Sequence, residues 1–147
     1  MSSYKFSMVP PNLVEVMFPM FEECLMLVVK LGDGEITLDS LKQQAINNEV
    51  AICVVSKGDQ IFAVNIFEER TFHTGKKCLY IPVISGTGID EWGEEFHALA
   101  VTLAKSIGAV ELRGCAARGG WPRKLGQHGI KWREVYCTLA YDIEASE

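Results

Sequence analysis

The stretch from residue 79 to residue 114 constrains the fold more than any other part of this chain. An apolar run at residues 79–84 leads into the turn Ser85-Gly86-Thr87-Gly88, and a helical pattern then covers residues 90–106. A second apolar run follows at residues 109–112. Strand, loop, helix and strand in this order predict two parallel strands joined by a crossover helix. The backbone N–H groups of such a loop and of the first helical turn point the same way and favour an anion, most often a phosphate.

The size and charge of the chain argue against several classes of function. With 147 residues, 48% of them hydrophobic, we expect one core and a single domain over residues 1–147. The net charge of −5 and the lack of a basic block argue against nucleic-acid binding. No run of about 18 apolar residues is present, so we expect no membrane span. The five cysteines are odd in number and form no C-x-x-C, which argues against a zinc site and favours a reducing, cytoplasmic compartment.

The first third of the chain predicts a strand and two helices. The strand covers residues 4–9, and apolar residues then recur at helical spacing over residues 13–28. Asn12 is expected to cap this helix, and Pro19 is expected to kink or break it. A second helix is predicted to open at Thr37.

The rest of the chain predicts a hairpin, a short helix and a last strand. Residues 50–56 and 60–70 form an antiparallel pair, with Ile61 facing the same side as the other odd-numbered residues. A short helix at residues 118–127 and a long strand at residues 130–143 complete the order β-α-α-β-β-β-α-β-α-β. The predicted fold class is a mixed α/β sheet, antiparallel over strands one to four and parallel between strands four and five, with helices on both faces.

This order of elements, with a glycine turn after the fourth strand, resembles the GNAT family of N-acetyltransferases. In that family the fourth and fifth strands splay apart, and a loop with the pattern Gln/Arg-x-x-Gly-x-Gly/Ala holds the pyrophosphate of acetyl-CoA on backbone amides. The matching stretch here is VISGTG, in which Val83 takes the place of Gln or Arg. The resemblance implies a GNAT-like fold, acetyl-CoA as cofactor, and a cofactor-binding loop made of Ile84, Ser85, Gly86, Thr87 and Gly88.

A further resemblance, to small acetyltransferase-like proteins encoded by tailed bacteriophages, lies after the crossover helix. Those proteins carry an acidic residue in strand five and then a G-R-x-G-W-type segment. Here Glu111 stands in the strand and RGGW begins at Arg118. The resemblance implies a phage-encoded protein in the bacterial host cytoplasm or associated with the virion. Trp121 is expected to plug the core under the splayed strands, with a lid over a pocket as the alternative.

Attack of an amine on a thioester needs a general base, and Glu111 is the first candidate. It alternates with apolar neighbours, so we expect it to face away from them, toward the gap between strands four and five. The alternative is a structural ion pair with Arg113 or Arg118. Glu68 and Glu69, near the end of strand three, are second choices for the base.

The resemblance also implies a general acid, a tyrosine in the last helix. The corresponding position here is Pro122, which has no proton to give, so Tyr136 or Tyr141 on the final strand is the candidate substitute. The simpler interpretation is that both tyrosines are aromatic residues of the core or of a sheet face. Asp90 is expected to be the N-cap of the crossover helix, and together with Glu91 it would repel a pyrophosphate.

Two functions stay open from the sequence. The first is an acetyl-CoA-dependent N-acyltransferase with a degenerate cofactor loop. The second is a catalytically silent protein of the same fold that binds a phage or host protein, for example as a virion component. The absent Gln or Arg, the acidic first turn and Pro122 favour the second. A Rossmann-type nucleotide site fits less well because a third glycine is lacking. The sequence names no acceptor amine and no oligomeric state.

Overall fold

A five-stranded sheet runs through the described part of the chain. The computed structural model describes residues 3–32, 34–115, 120–136 and 139–143. The sheet has the order β1-β2-β3-β4-β5, and its strands are Lys5–Val9 (β1), Ala51–Lys57 (β2), Gln60–Thr71 (β3), Lys77–Val83 (β4) and Glu111–Gly114 (β5). Neighbouring strands are antiparallel from β1 to β4, and β4 and β5 are parallel. This mixed sheet confirms the predicted fold class.

Three helices cover one face of the sheet: Val14–Met17 (α1), Glu22–Leu31 (α2) and Leu38–Ile46 (α3). Their apolar side chains pack on β1, β2 and β3 in a core that includes Val14, Phe18, Phe21, Leu25, Leu41, Ala45, Ile52, Val54, Val64 and Ile66. Thr37 and Ser40 form a reciprocal capping box at the start of α3, which confirms the predicted opening of that helix.

Pro19 divides the first helical region as predicted. It lies in a 3-10 turn, Phe18–Met20, that separates α1 from α2. The prediction that Asn12 caps the region is wrong. Asn12 lies inside another 3-10 turn, Pro11–Leu13, which follows Pro10 and has no side-chain cap. A proline at the first helical position needs no partner for an N–H, which makes a side-chain cap less necessary there.

Two further helices, Ile89–Ser106 (α4) and Gly120–Gln127 (α5), belong to the opposite face. The core stripe of α4 contains Trp92, Phe96, Ala100 and Ala104, all buried against the sheet. Leu125 of α5 is buried against α4, where a Cβ on Gly93 would lie 2.9 Å from the Leu125 Cδ2. None of the helices in the described ranges is long and apolar enough to cross a bilayer.

A β-bulge at Phe62 bends the start of β3. Val55 pairs with Ala63 but Ser56 pairs with Ile61, so Phe62 has no counterpart on β2. The extra residue reverses the facing of Ile61, which packs with the α1–α3 core while Ala63 packs with α4. The predicted face of Ile61 is therefore wrong, because strict alternation holds only where no bulge intervenes.

A second bulge lies near the end of β4. Glu68 pairs with Tyr80 and Ile66 with Val83, so β4 has one more residue than β3 between these pairs. Pro82 lies within this bulge, where its missing N–H costs no ladder bond. The bulge turns Val83 toward the α1–α3 core, whereas the preceding apolar residues of β4, Leu79 and Ile81, pack with α4.

Two predicted strands differ from the structure. β5 begins at Glu111, two residues later than predicted, and the N–H of Ala109 still donates to the carbonyl oxygen of Ala104 at the end of α4 (2.9 Å). The predicted strand at residues 130–143 is wrong for its described residues, 130–136 and 139–143, which form none. Tyr141 and Ile143 are each 91% exposed, so no core covers the alternating apolar side chains. β5 is four residues long and offers an edge of only about 13 Å.

Candidate functional site

The parallel strands β4 and β5 are joined by a short ladder. Their pairing runs from Cys78 opposite Glu111 to Ile81 opposite Gly114 and ends there. Beyond Ile81 the bulge directs β4 along β3, where Val83 pairs with Ile66. We call the unpaired region between residues 82–83 of β4 and residue 115 the strand gap. The family resemblance implies that the two strands splay from this point, and a bulge in β4 there would favour it, but the splaying itself stays a prediction.

The loop after β4 stays attached to β3. The Ser85 N–H donates to Asn65 Oδ1 (3.0 Å), and the Ser85 hydroxyl exchanges hydrogen bonds with the backbone N–H and carbonyl of Val64. The Thr87 N–H donates to the carbonyl oxygen of Phe62 (2.9 Å). Two of the backbone donors predicted for a phosphate thus hold the loop against β3, on the side away from β5.

Asn65 is a site residue that the sequence did not single out. Its side chain is fully buried, its Oδ1 accepts from Ser85, and its Nδ2 has no hydrogen-bond partner among the described residues. Leaving this buried donor without a partner costs about 1–3 kcal/mol. The only sequence signal was a lone amide within an apolar strand. Asn65 therefore positions the loop through the Ser85 amide.

Both loop glycines are required by the fold itself. Gly86 has φ +85°, and a Cβ there would lie 2.0 Å from the Phe62 carbonyl oxygen. Gly88 has φ +86°, and its Cβ would meet the indole of Trp92 at 3.3 Å. The Trp92 indole N–H also donates to the carbonyl of Thr87 (2.8 Å). The glycine pattern is explained by close approach to β3 and to Trp92, and by itself does not indicate a ligand.

The first turn of α4 provides outward-facing donors. Gly88 occupies the N-cap position and Ile89 is the first helical residue, so the prediction of Asp90 as N-cap is wrong. The reason is that the left-handed conformation of Gly88 already starts the helix. No described residue accepts a hydrogen bond from the amides of Gly88, Ile89 or Asp90. Such amides carry the positive end of the helix dipole and suit an anion. Ile84, also predicted for this loop, packs its side chain into the α4 core.

The two carboxylates of this turn have partners in the structure. Asp90 lies 3.6 Å from the Lys124 ammonium group of α5. Glu91 accepts a hydrogen bond from the hydroxyl of Tyr4, which precedes β1. These contacts reduce, but do not cancel, the negative charge beside the free amides, because both carboxylates are exposed.

Glu111 lies at the opposite end of β5 from the loop. It pairs with Cys78, about 20 Å along the strand direction from Ser85. Its carboxylate accepts hydrogen bonds from Arg113, from Lys76 (2.9 Å) and from Arg133 (3.0 Å). The hydrogen bonds from Arg113 and Lys76 lower the pKa of Glu111 to about 2. The structure thus contains the ion pair with Arg113, and it does not bring Glu111 together with the cofactor loop.

Tyr136, the other predicted catalytic residue, is 75% exposed and belongs to no strand. The two remaining candidate bases are engaged in ion pairs, Glu68 with Arg70 and Glu69 with Lys77 (3.1 Å). Pro122 lies in α5, so the structure has no tyrosine at the position that the resemblance implies for the acid.

Trp121 lies beside the strand gap, where it is half-buried. A Cβ on Gly114, the last residue of β5, would lie 2.9 Å from its indole ring. The indole N–H donates to the carbonyl of Cys115 (2.8 Å), and the ring makes an edge contact with Trp132 at 4.7 Å. Trp121 therefore fixes the chain that leaves β5 on the α4 side.

Tyr80, which the sequence did not single out, contacts Cys115 at the end of the β4–β5 ladder and has Arg70 of β3 over its ring. The Tyr80 hydroxyl makes a hydrogen bond with the Cys115 Sγ, and the Arg70 guanidinium lies 3.7 Å from the centre of the tyrosine ring. Burial, followed by the hydrogen bond with Cys115, raises the pKa of Tyr80 well above its usual value. Within the described ranges no cluster of three or more His, Cys, Asp or Glu side chains could hold a metal ion.

No protein-family model and no curated protein matches the sequence, but solved structures match its fold. A ribosomal-protein-alanine N-acetyltransferase from Brucella melitensis biovar Abortus has a TM-score of 0.69 at 11% identity, covering 97% of this chain and 100% of that one. An aminoglycoside acetyltransferase from an uncultured soil metagenomic sample, in complex with sisomicin, has a TM-score of 0.68 at 12% identity over 97% of both chains. A predicted acetyltransferase with acetyl-CoA from Clostridium acetobutylicum gives 0.61 at 14% identity, covering 93% of this chain and 96% of that one. At these identities the comparisons establish the GNAT-like fold.

Proposed function

We propose that this chain is an acetyl-CoA-dependent N-acyltransferase-like protein that binds the CoA pyrophosphate at the start of α4. One observation carries the proposal: the β4–β5 ladder ends at Ile81 and Gly114, shortly before a loop and helical turn whose amides at Gly88, Ile89 and Asp90 have no acceptor among the described residues. A gap between parallel strands next to an anion site offers a long thioester both a phosphate anchor and a channel toward the sheet.

The residues present fit this ligand. The amides of Gly88, Ile89 and Asp90 would hold the pyrophosphate, and the strand gap would admit the pantetheine arm. The amides of Ser85 and Thr87 contribute indirectly, because their bonds to β3 keep the end of β4 away from β5. Acetyl-CoA supplies an acetyl thioester that is activated toward attack by an amine.

The acidic first turn predicts weak binding. A carboxylate near a helix N-terminus interacts with the helix by about 0.3–1 kcal/mol, and an incoming phosphate would be repelled by Asp90 and Glu91. Lys124 and Tyr4 offset part of this repulsion. We therefore expect an affinity for acetyl-CoA lower than that of a loop with a leading Arg.

The catalytic roles of Glu111 and Tyr136 stay predictions. A carboxylate with a pKa of about 2 is a poor base for an ammonium proton, and the ion pairs of Glu111 favour a structural role. We therefore assign the reaction to the fraction of the amine that is already neutral in solution, and the proton that this amine sheds on acylation passes to the buffered solvent.

Calorimetric titration tests the proposal. Acetyl-CoA is compared with acetyl-pantetheine, which has the same thioester but no pyrophosphate. We expect saturable binding of acetyl-CoA and much weaker binding of acetyl-pantetheine, because the helical amides recognise the phosphates. If millimolar acetyl-CoA gave no heat of binding and no thermal shift, the proposal would be rejected.

A second candidate is a catalytically silent protein of the same fold that acts through a phage or host protein. It is favoured by the inward bonds of Ser85 and Thr87 and by Pro122, which lacks an acidic proton. A phage origin and a place in the virion belong to this candidate, and a cytoplasmic location belongs to both. It predicts no binding of acetyl-CoA and a stoichiometric complex with one virion or host protein. Transfer of acetyl groups to any amine at a rate above the uncatalysed one would contradict it.

A further inference from the structure

Tyr80 lies on the sheet face opposite α4. Leu79 and Ile81, its neighbours on β4, pack with α4, so alternation places Tyr80 on the other side. Arg113, the parallel partner of Tyr80, lies on β5. The face around the tyrosine carries several charged or titratable groups: Glu68 and Arg70 of β3, Cys78 of β4, Glu111 and Arg113 of β5, and Cys115 and Tyr136 beyond them.

The position of the Tyr80 hydroxyl coincides with the point where the strands separate. Tyr80 directly precedes Ile81, the last residue of β4 in the ladder, and Cys115 directly follows Gly114, the last residue of β5. The hydrogen bond between the Tyr80 hydroxyl and the Cys115 Sγ therefore crosses from one strand to the other at the start of the strand gap. Arg70 lies on the face of the ring and limits its movement.

We propose that the Tyr80 hydroxyl donates a hydrogen bond to the thioester sulfur and stabilises the negative charge that this sulfur gains as it leaves. The inference rests on the proposed function, since it requires a CoA thioester in the strand gap. The hydroxyl already has a sulfur atom as its hydrogen-bond partner, in Cys115. When the Cys115 thiol donates to the Tyr80 oxygen, the single hydroxyl proton is available to a second sulfur that arrives through the gap.

Tyr80 acts as a donor that keeps its own proton. The amine nitrogen forms a bond to the acetyl carbon, the carbon–sulfur bond breaks, and its electron pair goes to sulfur. The amine proton passes to water, and the released thiolate later takes a proton from water. A raised pKa keeps the Tyr80 hydroxyl protonated at neutral pH, whereas a thiol has a pKa near ~8.5. Such a tyrosine is a weak acid toward a thiolate but a lasting hydrogen-bond donor.

The pH dependence of free CoA binding tests this role without any turnover. The donor stabilises the CoA thiolate over the thiol, so the affinity for CoA should rise by about tenfold between roughly pH 7 and pH 10, which spans the thiol pKa. The same titrations with acetyl-CoA, which has no ionisable thiol, correct for any pH dependence that comes from the protein itself. In Tyr80→Phe the extra rise for CoA should disappear, while acetyl-CoA binds within about threefold of the wild type.

Thr102→Val is the control, because it removes a hydroxyl from an exposed residue of α4 that has no part in the proposed site. We expect it to keep the wild-type pH dependence. In an acetyl-transfer assay, Tyr80→Phe should lower kcat by about 100-fold with little change in KM. Equal pH dependence of CoA binding in wild type and Tyr80→Phe would overturn the inference and leave the proposed function intact. Failure of the wild type to bind CoA and acetyl-CoA would instead overturn the proposed function, and this inference with it.

Discussion

Replacing Gly86 by alanine tests whether the loop is held against β3 as the structure shows. Two effects contribute. The left-handed conformation, φ +85°, costs an alanine about 1–2 kcal/mol wherever it occurs. In addition, the new Cβ would lie 2.0 Å from the Phe62 carbonyl oxygen and 2.6 Å from the Ala63 Cα, so the loop must move away from β3.

Movement of the loop breaks a hydrogen bond at the same place. The carbonyl that the Cβ approaches is the acceptor for the Thr87 N–H. Thr87 is exposed and Phe62 half-buried, so the loss of this hydrogen bond costs about 0.5–1.5 kcal/mol, and with the conformational cost we expect Gly86→Ala to lower the free energy of unfolding by about 1.5–3.5 kcal/mol. Because the displaced loop would shift toward β5, we also expect Gly86→Ala to weaken acetyl-CoA binding.

Gly75→Ala is a matched control for the backbone conformation. Gly75 has φ +86°, and a Cβ there meets nothing within 4 Å. Gly75→Ala should therefore lower the free energy of unfolding by the conformational cost alone, about 1–2 kcal/mol. Urea unfolding followed by circular dichroism gives both free energies. Equal destabilisation by Gly86→Ala and Gly75→Ala would refute the close contact between the loop and β3.

Two further predictions concern charge. Asp90→Asn should strengthen acetyl-CoA binding by about two- to fivefold, because a repulsion worth about 0.3–1 kcal/mol at the helix start is removed. Glu95→Gln changes an exposed residue further along the same helix and should change the affinity for acetyl-CoA less in the same calorimetric titration. If Asp90→Asn bound acetyl-CoA more weakly than the wild type, the assignment of the phosphate site would be contradicted. Glu111, with its pKa lowered from 4.5 to about 2 by Arg113 and Lys76, stabilises the folded chain above about pH 4.5 and loses this contribution as the pH falls toward 2. In Glu111→Gln the free energy of unfolding should therefore fall less between pH 4.5 and pH 2 than it does in the wild type. The same pH dependence in both proteins would contradict these ion pairs.

Local patterns predicted most of the elements around the site. Alternation and helical spacing indicated the strand, loop, helix and strand from β4 to β5, because each of these elements buries an apolar face that its own sequence displays. Pro19 broke the first helical region for a reason that needs no tertiary context. The start of β5 was misplaced by two residues, since Ala109 and Val110 are apolar in sequence but precede the ladder.

The missed features depend on register between strands that are distant in sequence. A bulge at Phe62 or near Pro82 shows only when partner residues are matched across β2, β3 and β4. The same matching places Asn65 under Ser85 and brings the Tyr80 hydroxyl to Cys115. A sequence without aligned relatives does not give these registers, so a lone amide and a strand tyrosine look like ordinary core residues.

The register also explains why the predicted base and the predicted cofactor loop lie apart. Parallel strands start at the same edge of a sheet, so Glu111, at the start of β5, lies beside the start of β4 and far from the loop at its end. A side chain that takes part in a reaction in the strand gap must instead belong to the last residues of the β4–β5 ladder or to the residues that follow them. Tyr80 and Cys115 satisfy this requirement on one face, and Trp121 fills the other face. Because the gap depends on the loop staying attached to β3, Gly86→Ala should lower stability and binding together, whereas Tyr80→Phe should change only how the protein holds the sulfur.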